Sequence, residues 1–380
     1  MATDNFSKIL DNSYRRAGAQ LGKSFVAGAD IRNRVESVAL CLKNRAGVRA
    51  LLAGLLAKVH DPKVDIRKPY TDITGDSGND RYSGRVYDER YIQKLTTKPY
   101  KLPINATTAF LTPGFRTKNI VLTTDVALEG RPSDMYKALL QLFDDVQANR
   151  ASARSVMDEV FRLLILERAK REQCIENLLH HLKRTVDRLP LAAENIVNLI
   201  GQHLACKNSS RLPVLIVAAA YKVASEKLGE RILYLHAHNA ADRQTGAAGD
   251  VEITLVGDND VVTAYEMKMK AVTIDDINIA LQKISVHKDT IMNYIFVTTH
   301  KIDQEVREYA AERYDDTGGI EIAVLNCLDF LRHFLHLFHR LRTPFLDAYQ
   351  ELLLNEPESA VSHTLKEALL SLRKAAEGAE

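Results

Sequence analysis

From Pro213 to Asn326 the apolar residues switch repeatedly between a period near 3.6 and a period of 2. A chain with that alternation is confined to a sheet with helices laid on it. Residues 213–233 read as a helix, and 250–256 and 261–269 as alternating strands. Residues 275–288 read as a helix with Ile277, Leu281 and Ile284 on one stripe. Residues 293–299 then read as a buried strand, 302–314 as a helix, 320–326 as a strand and 327–354 as one or two helices. The expected fold class is α/β with a mixed sheet.

The first 211 residues are expected to be helical. Val48, Leu51, Leu52, Leu55, Leu56 and Val59 recur at spacings of three and four, and residues 132–206 repeat that pattern. Between the two blocks, residues 61–121 break it with Pro62, Pro69, Pro99, Pro103 and Pro113. This irregular segment holds eleven Lys/Arg against seven Asp/Glu and five of the chain's fourteen tyrosines, which makes it the stretch best suited to an anionic partner.

With 46% hydrophobic residues and a formal net charge of +2, the chain is not a disordered one. It lacks an apolar run long enough to span a bilayer and begins without a secretory pattern, so a cytoplasmic protein with no membrane partner is expected. Cys41, Cys174, Cys206 and Cys327 stand apart with no metal-ligand or disulfide spacing. His333, His336 and His339 share a helix side, and His180 and His181 are adjacent, but no acid or cysteine partners them at ligand spacing. The absence of GxxxxGK[ST] argues against a nucleotide cofactor.

The chemistry concentrates in the first hairpin. Val251, Ile253 and Leu255 alternate with Asp250, Glu252 and Thr254; on the next strand Tyr265, Met267 and Met269 alternate with Glu266, Lys268 and Lys270. Carboxylates and ammonium groups set into an apolar sheet are electrostatically expensive unless they serve a purpose. Metal-assisted hydrolysis is one: Asp250 and Glu266 suit Mg²⁺, a hard cation that prefers carboxylate oxygens. Lys268 would orient or help deprotonate the attacking water and offset charge on a phosphorane-like state. Glu226 and Glu230, one helical turn apart, offer a third carboxylate. The hairpin must meet a register condition. A four-residue loop pairing Val256 with Val261 would set Asp250 opposite Met267 on the apolar side, so a shared acidic face needs an odd loop or a bulge.

A helix carrying Glu226, Gly249-Asp250 opening a strand and Glu266-Met267-Lys268 closing the next resemble the PD-(D/E)xK nuclease superfamily. Within it, the chain is similar to the SacI-type restriction endonucleases in Ser225-Glu226, Gly249-Asp250-Val251, Gly257-Asp258 and the strand from Glu266 to Lys270. Further likeness lies around Val64-Asp65, Asp80-Arg81 and Pro103-Ile104-Asn105. Gly249 departs from the superfamily's proline, and Lys270 stands beside Lys268 as a second candidate catalytic lysine. The resemblance implies an αβββαβ core in residues 212–380, and a Mg²⁺-dependent type II restriction endonuclease acting on double-stranded DNA as a homodimer. Asp250, Glu266 and Glu226 would be the metal ligands, with Lys268 or Lys270 beside them. A repair or structure-specific nuclease, or an inactive DNA-binding protein, would share the core.

Base reading calls for Arg, Asn and Gln at groove edges. The candidates are Arg81, Tyr82, Arg85, Arg90, Asn105, Arg116 and Lys118 in the irregular segment. His238, Asn239, Arg243 and Gln244 join them from the loop that enters the first acidic strand.

Overall fold

Residues Ala46 to Ala57 of a helix spanning Ala46–His60 are all buried, which only a central helix allows. The computed structural model describes residues 5–41, 43–73, 78–116, 118–183, 190–233, 235, 247–285 and 290–378. It divides into two units, Met1–Gln173 and Cys174–Glu380.

In the first unit, α1 (Asn5–Ala19), α2 (Ala29–Ala39), α5 (Ser133–Gln147) and the start of α6 (Ala153–Lys183) share one apolar core with the central α3 (Ala46–His60). Among the described residues of 61–132, the regular structure is α4 (Gly84–Arg90) and two short 3-10 turns, Ile92–Thr96 and Ala109–Leu111. A buried ion pair organises them. Arg49 of α3 is fully buried, and its guanidinium lies 2.6 Å from Asp88 of α4. Arg49 also donates to Gln93 Oε1 and to the Asn105 carbonyl, while Asp88 accepts from Thr108 Oγ1 and the Ala109 amide. Each buried charge is thereby hydrogen-bonded on several sides, the condition under which such a pair is tolerated.

The second unit is a five-stranded sheet in chain order: β1 (Glu230–Ile232), β2 (Val251–Leu255), β3 (Val261–Lys268), β4 (Asn293–Thr298) and β5 (Glu321–Asn326). β1, β2 and β3 pair antiparallel; β4 and β5 join in parallel, as their helical connections require. These connections, α9 (Ile274–Ile284) and α10 (Gln304–Thr317), cover one face together with Ala264, Tyr294, Phe296, Ile322 and Val324. The other face presents Val251, Ile253, Tyr265 and Val297 to the core of α7 (Ala193–Leu204), α8 (Leu212–Leu228), α11 (Cys327–Leu337), α12 (Arg342–Asn355) and α13 (His363–Ala376). The acidic side of the hairpin is thus itself a covered face, not a solvated one. The helix expected over 213–233 is corrected: it ends at Leu228, Gly229 turns the chain in the left-handed region at φ 69°, and Glu230–Ile232 is strand β1; α13 is an element the sequence reading did not include. Among the described residues no helix is long and apolar enough to cross a membrane.

Candidate active site

The hairpin satisfies its register condition through a bulge. Near the turn Thr254 pairs with Val261, a register that would carry Asp250 opposite Tyr265 on the apolar side. The register shifts between Ile253 and Thr254, and from there Ile253 pairs with Thr263 and Val251 with Tyr265. Val262 is the extra residue. Carried one position further, the shifted register sets Asp250 beside Glu266, and opposed residues share a face.

Gly249 is fixed by the same close approach. A Cβ at that position would stand 2.6 Å from the Tyr265 carbonyl oxygen, so no larger residue fits against β3 there. Asp250 then turns its carboxylate across the pair, and Oδ2 accepts from the Met267 amide at 2.7 Å. β2 begins at Val251, so that amide lies beyond the paired residues and the carboxylate takes the place of a strand carbonyl.

Glu266 sits at the centre. Its Oε1 is 3.0 Å from Lys268 Nζ; its Oε2 is 3.4 Å from Lys283 Nζ of α9 and accepts from the Tyr294 hydroxyl at 3.3 Å. Asp276 closes the cluster. Its Oδ2 accepts from the Thr273 amide and hydroxyl in the capping box that starts α9, which leaves Oδ1 3.5 Å from both Lys268 and Lys270. Burial opposes charge on Lys268, but the Glu266 and Asp276 carboxylates outweigh it and hold the ammonium above its ordinary value. Burial likewise opposes ionisation of Asp276, and the Thr273 donors with the two lysines prevail and hold its carboxyl low. Lys268 thus sets a positive charge between the two carboxylates. Lys270 has 68% of its side chain exposed and makes only the longer contact with Asp276. Glu252, on the same face, is buried and accepts from the Ala248 amide.

The other sequence candidates separate clearly. Glu226 is exposed near the end of α8, whose buried residues pack on the opposite face of the sheet. Glu230 opens β1, where burial raises its carboxyl. Among the described residues no group of three His, Cys, Asp or Glu side chains is arranged to hold a metal ion. The donor set that remains for Mg²⁺ is Asp250 with Glu266. That pair fits a cation that commonly takes one or two protein carboxylates and completes its shell with water and phosphate oxygens. His336 Nε2 lies 3.3 Å from Glu194 Oε1, within hydrogen-bond reach.

Among the recognition candidates, Tyr82 is corrected. It is 5% exposed and its hydroxyl donates to the Ile66 carbonyl, because α3 approaches it at Gly54, where a Cβ would lie 2.9 Å from that hydroxyl. It is a core residue and presents no edge to DNA. Arg85, Arg90 and Arg116 are exposed; Arg81, Asn105 and Lys118 are half-buried. Arg85 pairs with Glu89, Arg90 lies over the Tyr91 ring, and Lys118 pairs with Glu129. His238, Asn239, Arg243 and Gln244 lie outside the described residues.

Sequence reasoning missed Lys283 and Tyr294 at Glu266, and Asp276 at the two lysines. The signal available was modest: Asp276 and Lys283 stand seven residues apart on one helix, hence on one side of it.

No curated protein matches the chain. Residues 191–300, which contain α7, α8, the hairpin, α9 and β4, match the family model of the SacI restriction endonuclease C-terminal domain, and this similarity supports a restriction-endonuclease-like family for the region that carries the site.

Proposed function

We propose that the chain is a type II restriction endonuclease of the PD-(D/E)xK kind, hydrolysing phosphodiester bonds at specific sites in double-stranded DNA with Mg²⁺. The observation that carries this reading is one juxtaposition: Asp250 accepts from the amide of Met267, the residue between Glu266 and Lys268, and the Glu266 carboxylate touches Lys268. The order helix, three strands, helix, strand from α8 through β4 supports an αβββαβ core. So does the similarity of residues 191–300 to a restriction endonuclease domain.

Asp250 and Glu266 would hold the Mg²⁺, which when bound polarises a phosphoryl oxygen and makes a bound water more acidic. The chain's own groups do the rest. Lys268 places a fixed positive charge beside the carboxylates, where the negative phosphorane-like state develops. Lys283 and Tyr294 keep the Glu266 carboxylate from turning. Arg85, Arg90 and Arg116 offer exposed guanidinium groups to phosphates or to guanine edges. A homodimer goes with this reading, since two-fold symmetry is the simplest way to cut both strands of a palindrome.

Incubation with plasmid DNA and Mg²⁺ tests the proposal. Discrete bands that disappear with EDTA are expected. A smear would replace specific cleavage by a repair-type or structure-specific nuclease, and binding without cleavage would make the chain an inactive DNA-binding protein.

A further inference from the structure

We propose that Tyr294 is a positioning residue for this hydrolysis, acting through Glu266; the inference rests on the nuclease reading above. Two observations and the cost of burying an unpaired hydroxyl lead to it. Tyr294 is fully buried and belongs to an apolar cluster with Ala264, Phe296, Ile277 and Ala280, surroundings that would suit phenylalanine. A hydroxyl placed there is costly unless it is hydrogen-bonded. The hydroxyl donates to Glu266 Oε2, 3.3 Å away.

The backbone makes this meeting obligatory. β3 and β4 pair in parallel with Ala264 opposite Tyr294 and Glu266 opposite Phe296, so Tyr294 and Glu266 are diagonal neighbours on one face. The phenol reaches the carboxylate from inside the sheet layer, whereas Lys268 and Lys283 are both partly exposed. Lysines keep rotational freedom at the ends of long stems; a packed tyrosine has two side-chain torsions, both fixed by its neighbours. Tyr294 is thus the rigid member of the three donors on Glu266. A carboxylate that must meet both a cation and a phosphate gains from such a fixed partner, because ligand orientation is commonly set by groups one layer out.

The test is Tyr294→Phe in the full chain, which keeps the ring and removes only the hydroxyl. Thermal melting should show a folded protein. In Mg²⁺-dependent cleavage, kcat should fall about 10-fold or more while KM for DNA stays within about threefold. Titration of Mn²⁺ into the DNA-free protein should show a dissociation constant raised about 10–100-fold. A folded variant with wild-type kcat and wild-type Mn²⁺ affinity would overturn the inference. Glu266→Ala is run in parallel: if it cleaves like wild type, the nuclease site itself is wrong. If it is inactive while Tyr294→Phe is unaffected, only the role of Tyr294 fails.

Discussion

The carboxylate of Asp250 accepts from the amide of Met267 at 2.7 Å, and this one bond ties the start of β2 to the backbone between Glu266 and Lys268. Asp250 therefore has a structural task as well as a chemical one, and substitutions can separate them. Asp250→Asn keeps an oxygen for the Met267 amide and removes the charge. Its stability should stay within about 1 kcal/mol of wild type while cleavage is lost. Asp250→Ala should lose cleavage and about 1 kcal/mol more stability, because it leaves the amide unpaired. Denaturant unfolding beside a cleavage assay reads both.

Lys268 and Lys270 differ in what they touch. Lys268 contacts both Glu266 and Asp276; Lys270 reaches only Asp276 and is largely exposed. Lys268→Met should lower kcat by at least about 100-fold and Lys270→Met by less than about 10-fold, on the scale set by losing one charge-stabilising donor. The reverse ranking would move the catalytic role to Lys270.

Legibility in the sequence was uneven, for physical reasons. The alternation of the two hairpin strands shows in the sequence because a period of two is local. Val262 as the bulged residue does not, since Val261-Val262-Thr263 reads as an ordinary strand and the shift exists only against β2. Tyr294 and Lys283 reach Glu266 through a parallel crossover, a long-range event without a local trace. Tyr82 reads as a loop aromatic free to meet DNA because its burial depends on the approach of α3 at Gly54. β1, at three residues, is too short for any period to appear.

Tyr82 supplies a control for the recognition segment. Tyr82→Phe should cost about 1 kcal/mol through the lost bond to Ile66 and leave DNA affinity unchanged. Arg85→Ala, Arg90→Ala or Arg116→Ala at a base contact should weaken specific binding by about 1–3 kcal/mol relative to non-specific binding. Gel-shift titrations with cognate and scrambled duplexes distinguish these outcomes. Equal weakening on both duplexes would assign the arginine to phosphate contact only.

His203 makes stability pH-dependent. It is buried between the Tyr349 hydroxyl and the Leu365 carbonyl, each 2.9 Å away. Burial lowers its imidazole to about 4, against the opposing pull of the Leu365 carbonyl. A depressed folded value means that the unfolded chain binds the proton more tightly. The contribution is thus complete above about pH 6.5, the ordinary histidine value, and is lost as pH falls toward about 4. Urea unfolding across that window should show wild type losing on the order of 3 kcal/mol more than His203→Gln. Parallel losses in the two proteins would remove His203 as the source.

If Asp250 and Glu266 form one hydrolytic site on one face of the hairpin, cleavage depends on the Glu266 charge. Single-turnover cleavage of plasmid DNA by Glu266→Gln, at protein concentrations where a gel shift shows the DNA bound, tests it most directly. Bound DNA should stay intact, with the rate down by at least about 1,000-fold as expected for loss of an essential catalytic group. Cleavage by Glu266→Gln at a rate near that of wild type would contradict it.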